Sequence, residues 1–336
     1  MRAATLALVL APALAHADAT VTVTLTPAGQ QLAQNLGYTS DAELVQRVND
    51  KITSYYQTTR IPQLMTAFAD TTAFADRDLG VAYANDPGQI VVGAVATAAI
   101  DSDATFASSS HAYNGEVVNF AVMAGAGLAR WGLPRWSVFG NAFYASDRLN
   151  ALDGHLTTTA AHVQYRILDG QRTGDVRWLG LSATAGLEYA RWTLGIAAPI
   201  KYAFTVQGDA AGTSRNLTLT STGTLSLVAN TLSMPLEVTT GVRFLGHVAL
   251  YAGGGLDVAV GDSTLTAGLA GDMTITSDGT DVGHVTITAS GSQQPTPITV
   301  HALGGVQVDL PHFQIYAQAL AAPSITAAQV GTRVVF

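Results

Sequence analysis

The chain contains no cysteine, so no disulfide ties together any part of its 336 residues. Charge is nearly as scarce: Asp, Glu, Lys and Arg make up 12% of the sequence, against ~25% in an ordinary soluble domain. Those charges sum to −8. Lys and Arg never cluster, which excludes the basic face that nucleic-acid binding requires. Beyond Asp18 no stretch reaches the ~18–20 uninterrupted apolar residues of a membrane helix. Yet 48% of the residues are hydrophobic, and the polar remainder is mostly Ser, Thr, Gly, Asn and Gln. The apolar surface is therefore distributed along the chain instead of being gathered into one long run.

The start of the chain reads as a secretory leader. Met1-Arg2 is positive, Ala3 to Ala15 is apolar, and Ala15-His16-Ala17 is an A-x-A cleavage site. This assigns residues 1–17 to a signal peptide. Residues 18–36 are Thr-rich and then polar, leaving extended and disordered conformations both open. Ser40 and Glu43 then form a capping box, and Leu44, Val45, Val48, Ile52, Tyr55 and Tyr56 recur at helical spacing. Pro62 is placed to open a second short helix running to Phe68. Residues 18–88 thus read as a helical segment ahead of a sheet region, either a plug within it or a periplasmic cap.

From Gln89 the period changes to two. In 178–190, Leu179, Leu181, Ala183, Ala185, Leu187 and Tyr189 oppose Gly180, Ser182, Thr184, Gly186 and Glu188. In 193–207, Leu194, Ile196, Ile200, Tyr202, Phe204 and Val206 oppose Thr193, Gly195, Lys201 and Thr205. Similar alternation sets Glu237 and Arg243 against Leu236 and Val238, Asp257 against Leu256 and Val258, and His301 and Asp309 against Val300 and Val308. Every charge falls on the less apolar face. A cation facing lipid at the bilayer midplane costs ~2–4 kcal/mol, so a membrane barrel must exclude charge from its outside. A soluble sandwich would instead carry Lys and Glu densely on its solvent face. The fold class expected is an all-β transmembrane β-barrel, residues 89–336, of about 12–14 antiparallel strands with the N-terminal α-helical segment.

The connections fit this reading. Gly132-Leu133-Pro134, Arg191-Trp192, Leu245-Gly246 and Pro311-His312 read as tight turns, and 208–216, 222–234, 277–283 and 290–296 as outer loops. Trp131, Trp136, Trp178, Tyr189, Trp192 and Phe336 fall near strand ends, as an aromatic girdle would. Pro199, in mid-strand, marks a bulge or kink.

The last ten residues carry a resemblance. Ala328, Val330, Thr332, Val334 and Phe336 share one face, Gln329, Gly331, Arg333 and Val335 the other, and the chain stops on the aromatic. This resembles the C-terminal signal of Gram-negative outer-membrane β-barrels. The resemblance implies location in the outer membrane, the bilayer and lipopolysaccharide as surroundings, and recognition of the strand ending at Phe336 by the barrel-insertion machinery. A barrel with an N-terminal helical segment is also similar to the FadL-type transporters. The stretch Asp78 to Gly88 resembles their hatch region, although Asn85-Asp86-Pro87 departs from the family's Asn-Pro order. That similarity implies passage of small, hydrophobic molecules.

The chemistry candidates are lumen-facing: Glu188, Lys201, Glu237, Arg243, Asp257, His301 and Asp309. Opposite charges among them are expected to pair, because an unpaired buried charge is costly. Ser108-Ser109-Ser110-His111 matches no catalytic motif, and no local His/Asp spacing suggests zinc. Gly125-Ala126-Gly127 and Gly253-Gly254-Gly255 lie within strands with no following helix, so they are not nucleotide loops. The expectation is a non-enzymatic barrel without cofactor or metal that passes small molecules. The alternatives are a structural or surface-exposed barrel and an outer-membrane hydrolase.

Overall fold

The computed structural model describes residues 18–56, 61–101, 116–149, 152–209 and 212–336. The proposed leader and the Ser108–His111 stretch lie outside them. In chain order the elements are β1 (Asp18–Leu25), α1 (Pro27–Asn35), α2 (Asp41–Tyr56) and α3 (Ile61–Ala75). They are followed by β2 (Ile90–Asp101), β3 (Glu116–Gly127), β4 (Trp136–Leu149), β5 (Leu152–Asp169), the two-residue β6 (Arg172–Thr173) and β7 (Val176–Gln207). The chain ends with β8 (Ser214–Phe244), β9 (Val248–Ile275), β10 (Asp281–Gln293), β11 (Ile298–Leu310), β12 (Phe313–Ala321) and β13 (Ile325–Val335).

The strands form a single antiparallel sheet of thirteen, and ten of them close a ring. Starting at β2, each strand pairs with the next through β3, β4, β5, β7, β8, β9, β11, β12 and β13, and β13 returns to β2. The ring is closed, the condition for a sheet to span lipid, with one short contact: β3 and β4 pair only from Val122 opposite Ala142 to Gly127 opposite Ser137. The seam runs from Ile325 opposite Asp101 to Val335 opposite Val91, so the C-terminal strand is the one that shuts the barrel.

Its outside is apolar. Val92, Val118, Val122, Leu187, Val238, Leu250, Leu256, Val300, Ile315 and Val330 all point outward and are exposed. Exposed Trp131, Trp136 and Phe336 gather at the end that carries the short turns, as an interfacial girdle requires. Trp192 does not belong to this girdle. It points inward and donates through Nε1 to Asn119 Oδ1 at 3.0 Å.

β7, β8 and β9 run for 32, 31 and 28 residues, about three times the ~9–11 needed to span a membrane. Each keeps one inward parity throughout while its polarity inverts. Next to the turns, the inward residues of β8 are Arg243, Thr239, Glu237 and Ser233, with Val238, Leu236 and Met234 outside. Farther along, Leu227, Leu219 and Leu217 face in, and Thr224, Thr222 and Thr220 face out. The change falls between Ala190 and Trp192 in β7 and between Ser263 and Leu265 in β9. The lower halves form a membrane wall. The upper halves form a sheet with an apolar inside, extended by β10 on β9 and by β1 on β10.

α1 and α2 fill the inside of that extension. Leu32, Leu36, Tyr38, Leu44 and Val48 pack against Phe204, Val206, Leu217, Leu219, Met273 and Val285. Thr26 caps α1, accepting from Gly29 N at 3.2 Å, with Pro27 in its first turn. The Glu43 carboxylate reaches back to Thr39, accepting from its hydroxyl and its backbone N–H, each at 2.8 Å. Those bonds hold the carboxyl below its ordinary range. Thr39 supplies the main capping contact, and the Ser40 backbone N–H adds to it.

These observations correct several expectations. Arg191-Trp192 is no turn: the inversion inside β7 looks, in sequence, like two strands of opposite phase. Residues 222–234 are no loop but the middle of β8. Pro199 causes no bulge, because it pairs in register with Thr222. β5 leaves β7 at Ile196, so at Pro199 the other side of the strand has no partner to lose. Residues 27–35, whose composition is compatible with extended or disordered chain, are the helix α1.

Inside the ring, aromatic rings lie flat over glycines of neighbouring strands. A Cβ on Gly305 would come within 2.5 Å of the Tyr251 ring, and one on Gly331 within 2.5 Å of Tyr316. Tyr251 thus covers Gly305 of β11 and not the glycines beside it in its own strand. Gly331→Val is expected to cost ~1–3 kcal/mol by overpacking, read as a lower temperature for the mobility shift between folded and unfolded barrel on an SDS gel. The inversion also makes a paired prediction. Val238→Arg, on the belt, should cost ~2–4 kcal/mol, whereas Thr222→Arg, outward on the extension, should stay within ~0.5 kcal/mol. Equal losses at the two sites would place the extension in lipid as well.

Candidate functional site

The ring closes around a segment of its own chain. Eight strands make a barrel that side chains alone can fill. Ten strands with Gly, Ser, Thr and Ala facing inward leave room for one helix. α3 occupies it, touching β2, β3, β7, β8, β9, β10 and β13. Met65, Ala69, Ala73, Phe74 and Ala75 are buried. Thr71 and Thr72 turn their hydroxyls back onto Ala67 O and Phe68 O, at 2.6 and 2.7 Å. Asp70 accepts from Thr296 Oγ1 at 2.8 Å, tying the helix to the β10–β11 connection.

After Ala75 the chain is irregular down to Ile90, so its carbonyls find no helical partner. The wall supplies donors. Arg333 Nη2 bonds Val81 O at 2.6 Å, Arg166 Nη2 bonds Asn85 O at 3.2 Å, and Asn141, Gln329 and Arg243 reach Leu79 O, Arg77 O and Ala84 O. Three backbone positions are left-handed, Asp78 at φ 57°, Gly80 at φ 90° and Gly88 at φ 87°. The first is uncommon for a residue with a side chain.

At mid-height lies a buried polar cluster. The Asp78 backbone N–H donates to Glu188 Oε1 at 2.8 Å. The same oxygen lies 2.9 Å from His162 Nε2, and Ser233 Oγ donates to Glu188 Oε2 at 2.9 Å. On the other side, His301 Nε2 lies 2.7 Å from Glu237 Oε1, and the Tyr83 hydroxyl donates to Glu237 Oε2. His301 Nδ1 is 2.9 Å from Asp257 Oδ2, which also meets Arg77 Nη2 at 2.7 Å. The Arg77 guanidinium stacks 4.2 Å from the Phe74 ring. Two sets of groups could hold a metal ion, Asp78 with Glu237 and His301, and Asp78 with His162 and Glu188.

Glycine makes both sets possible. Gly255 of β9 pairs with Glu237 on one side and His301 on the other, and a Cβ there would lie 2.9 Å from Glu237 Cγ. Without a side chain between them, residues from strands two apart can meet. Gly186 likewise lies beneath the His162 ring, which a Cβ would strike at 2.2 Å.

Near the short-turn end, Arg243 bonds Asp86 Oδ2 at 2.7 Å and lies 3.1 Å from Asp309 Oδ2, and Arg177 meets Asp86 Oδ1 at 2.8 Å. Of the seven lumen candidates, Glu188, Glu237, Asp257 and His301 meet at the central cluster, and Arg243 and Asp309 at this lower one. Lys201 does not join them. It is exposed on the outer face of β7 above the inversion, where the polar side of the strand is the outside. The plug residues Asp76, Arg77, Asp78, Tyr83 and Asp86 and the wall residue Arg333 were not among the candidates. Their signal was the run Asp76-Arg77-Asp78, three charges in succession after an apolar helix in a charge-poor chain.

Solved outer-membrane barrels resemble this chain only distantly. The translocator domain of the autotransporter NalP from Neisseria meningitidis is 9% identical, with 86% of this chain and 98% of that one covered, at a TM-score of 0.29. Ail, the attachment invasion locus protein of Yersinia pestis, is also 9% identical, covering 74% and 99%, at 0.23. A Pseudomonas aeruginosa FadL homologue is 8% identical, covering 81% and 98%, at 0.23. No curated protein matches the sequence. A family model does match, over residues 16–336: closed ring, plug and extension all fall within that span, and the chain belongs to the Lsa36-like family.

Proposed function

We propose that this protein is an outer-membrane barrel that admits small apolar molecules to its lumen and is held shut at rest by residues 65–85. The observation that carries this reading is an apolar recess of about 210 Å³ on the inner face of the extension. Ile196, Ala198, Ile200, Leu225, Ala267 and Leu269 line it. Ile196 continues the inward row of β7 to Trp192, whose ring meets Phe68 of the plug edge-on at 6.5 Å. An apolar solute entering the recess would therefore reach the top of the plug. At the other mouth a polar recess of about 320 Å³ is lined by Asp86, Gln89, Arg243, Asp309, His312 and Gln314.

In this reading the short turns and the C-terminus face the periplasm, and the α1–α2 cap faces outward among the lipopolysaccharide. The exposed face of Val330, Val334 and Phe336 is the surface offered to the insertion machinery. Catalysis is disfavoured by the order of groups at the cluster. Glu188 stands between Ser233 and His162, so the imidazole is not placed to take the serine proton as a nucleophile's base must. The second reading, a purely structural barrel, is favoured by the wall donors that hold the plug carbonyls.

Permeability separates the two. Liposomes carrying the wild-type protein should admit a small apolar solute slowly. Arg243→Ala removes the bonds to Ala84 O, Asp86 and Asp309 at once, leaving Asp86 to Arg177 alone, and should raise the rate several-fold without abolishing the folded band on an unboiled gel. If neither protein admits solute above empty liposomes, the structural reading replaces transport.

A further inference from the structure

The central cluster has more negative charge than its own residues can balance. Asp76, Asp78, Glu188, Glu237 and Asp257 are all at most 3% exposed. Against these five carboxylates stand one guanidinium, Arg77, and two imidazoles, His162 and His301, equally enclosed. With the imidazoles neutral, as nitrogen ligands are, four negative charges remain. Carboxylates cannot stay ionised out of water without a compensating charge. Asp78 is the sharpest case. It is 2% exposed, and among the described residues its carboxylate forms no ion pair, its side-chain neighbours being the Glu237 carboxyl and the Tyr83 hydroxyl. It is nonetheless held in a left-handed backbone conformation at the point where both candidate ligand sets converge.

We propose that this cluster is a divalent transition-metal site, in which Asp78 of the plug joins His301 and Glu237 of the wall and can bridge to His162 and Glu188. The donor atoms of each set lie within 4.8 Å of one another. The His301–Glu237 and His162–Glu188 separations of 2.7 and 2.9 Å are close to the edge of an octahedron with bonds of ~2.1 Å, which is ~3.0 Å. Imidazole with carboxylate and no sulfur suits zinc, iron or manganese better than soft ions. Asp257, 2.9 Å from His301 Nδ1, takes the position of the outer carboxylate that orients a metal-binding imidazole and leaves Nε2 for the ion. Two divalent ions, one in each set, supply the four missing charges. Because Asp78 lies on the plug and the other ligands on β5, β7, β8 and β11, the metal would staple the plug to four wall strands.

The test uses the full chain folded in detergent, with Zn²⁺ as the probe. After loading and desalting, the wild type should retain about two ions per chain by elemental analysis. Zn²⁺ should raise, and EDTA lower, the temperature at which the folded band converts on an SDS gel. Asp78→Asn, which keeps the shape and removes the charge, should abolish both retention and the Zn²⁺ response, and His301→Gln should weaken both. A wild type that retains no Zn²⁺, and whose transition ignores both Zn²⁺ and EDTA, overturns the proposal. So does an Asp78→Asn variant that binds like wild type. The wild-type comparison decides the matter even where a variant does not fold, and no arm depends on solute passage.

Discussion

Buried charge at the centre of the ring is the constraint on which the rest of the structure depends. A sheet that faces lipid must turn every charge inward. A lumen ten strands wide is then filled by the chain's own α3 and residues 76–88, which removes those charges from water. Each must find a partner inside. Arg243 finds Asp86 and Asp309, Arg333 finds Val81 O and the Tyr316 ring 3.8 Å away, and Arg77 finds Asp257. The irregular backbone of the plug serves this requirement: its free carbonyls are acceptors for cations and amides that the wall could not otherwise satisfy. Plug and wall are thus two halves of one hydrogen-bonded network, and neither half is satisfied alone.

The same rule explains where the membrane wall stops. Above Trp192, Thr231 and Leu265 the outward face is polar, with Lys201, Thr220, Thr222 and Thr224 exposed, and the inside is no longer polar because α1 and α2 fill it. The inward parity of β7, β8 and β9 does not change, but the residues it selects do: Ser, Thr and Glu below, Leu, Ile and Phe above. One strand therefore serves first as a membrane barrel and then as a soluble sheet packed on helices. Lys201 on the outer face and Leu219 on the inner one are in keeping with this, though both would be misplaced in the lower half.

This inversion sets the limit of what the sequence discloses. The lower strands were legible, since a period of two with charge confined to one face is the pattern that a wall between lipid and a polar lumen demands. Glu188, Glu237, Arg243, Asp257, His301 and Asp309 fall inward for that reason. Lys201 was misassigned because polarity alone cannot say which face is inside once the surroundings change from lipid to water. The turn placed at Arg191-Trp192 has the same origin. The site itself was half legible. The wall half stands on strands whose faces can be counted, but Asp76 to Asp86 is irregular, with no period to reveal which groups turn toward the wall. No local spacing could reveal the ligand sets, because Asp78, His162, Glu188, Glu237 and His301 are brought together only by ring closure.

Ring closure also orders the assembly. The plug is flanked by the α1–α2 cap at one end of the lumen and by β2 at the other, where Ile90 N bonds Phe336 O. β1 of the cap is paired to β10, on the outer extension. Threading the plug through a finished ring would require the whole cap to pass through a space that α3 alone fills. The plug must therefore be in place before β13 meets β2, and its polar network forms while the seam is still open to water. Charges that would be prohibitively costly to bring into a closed barrel one at a time can be paired at the seam and enclosed together. The strand ending at Phe336 is then the last to close, and its inward residues Gln329 and Arg333 bond Arg77 O and Val81 O. Closure of the seam and capture of the plug are the same event.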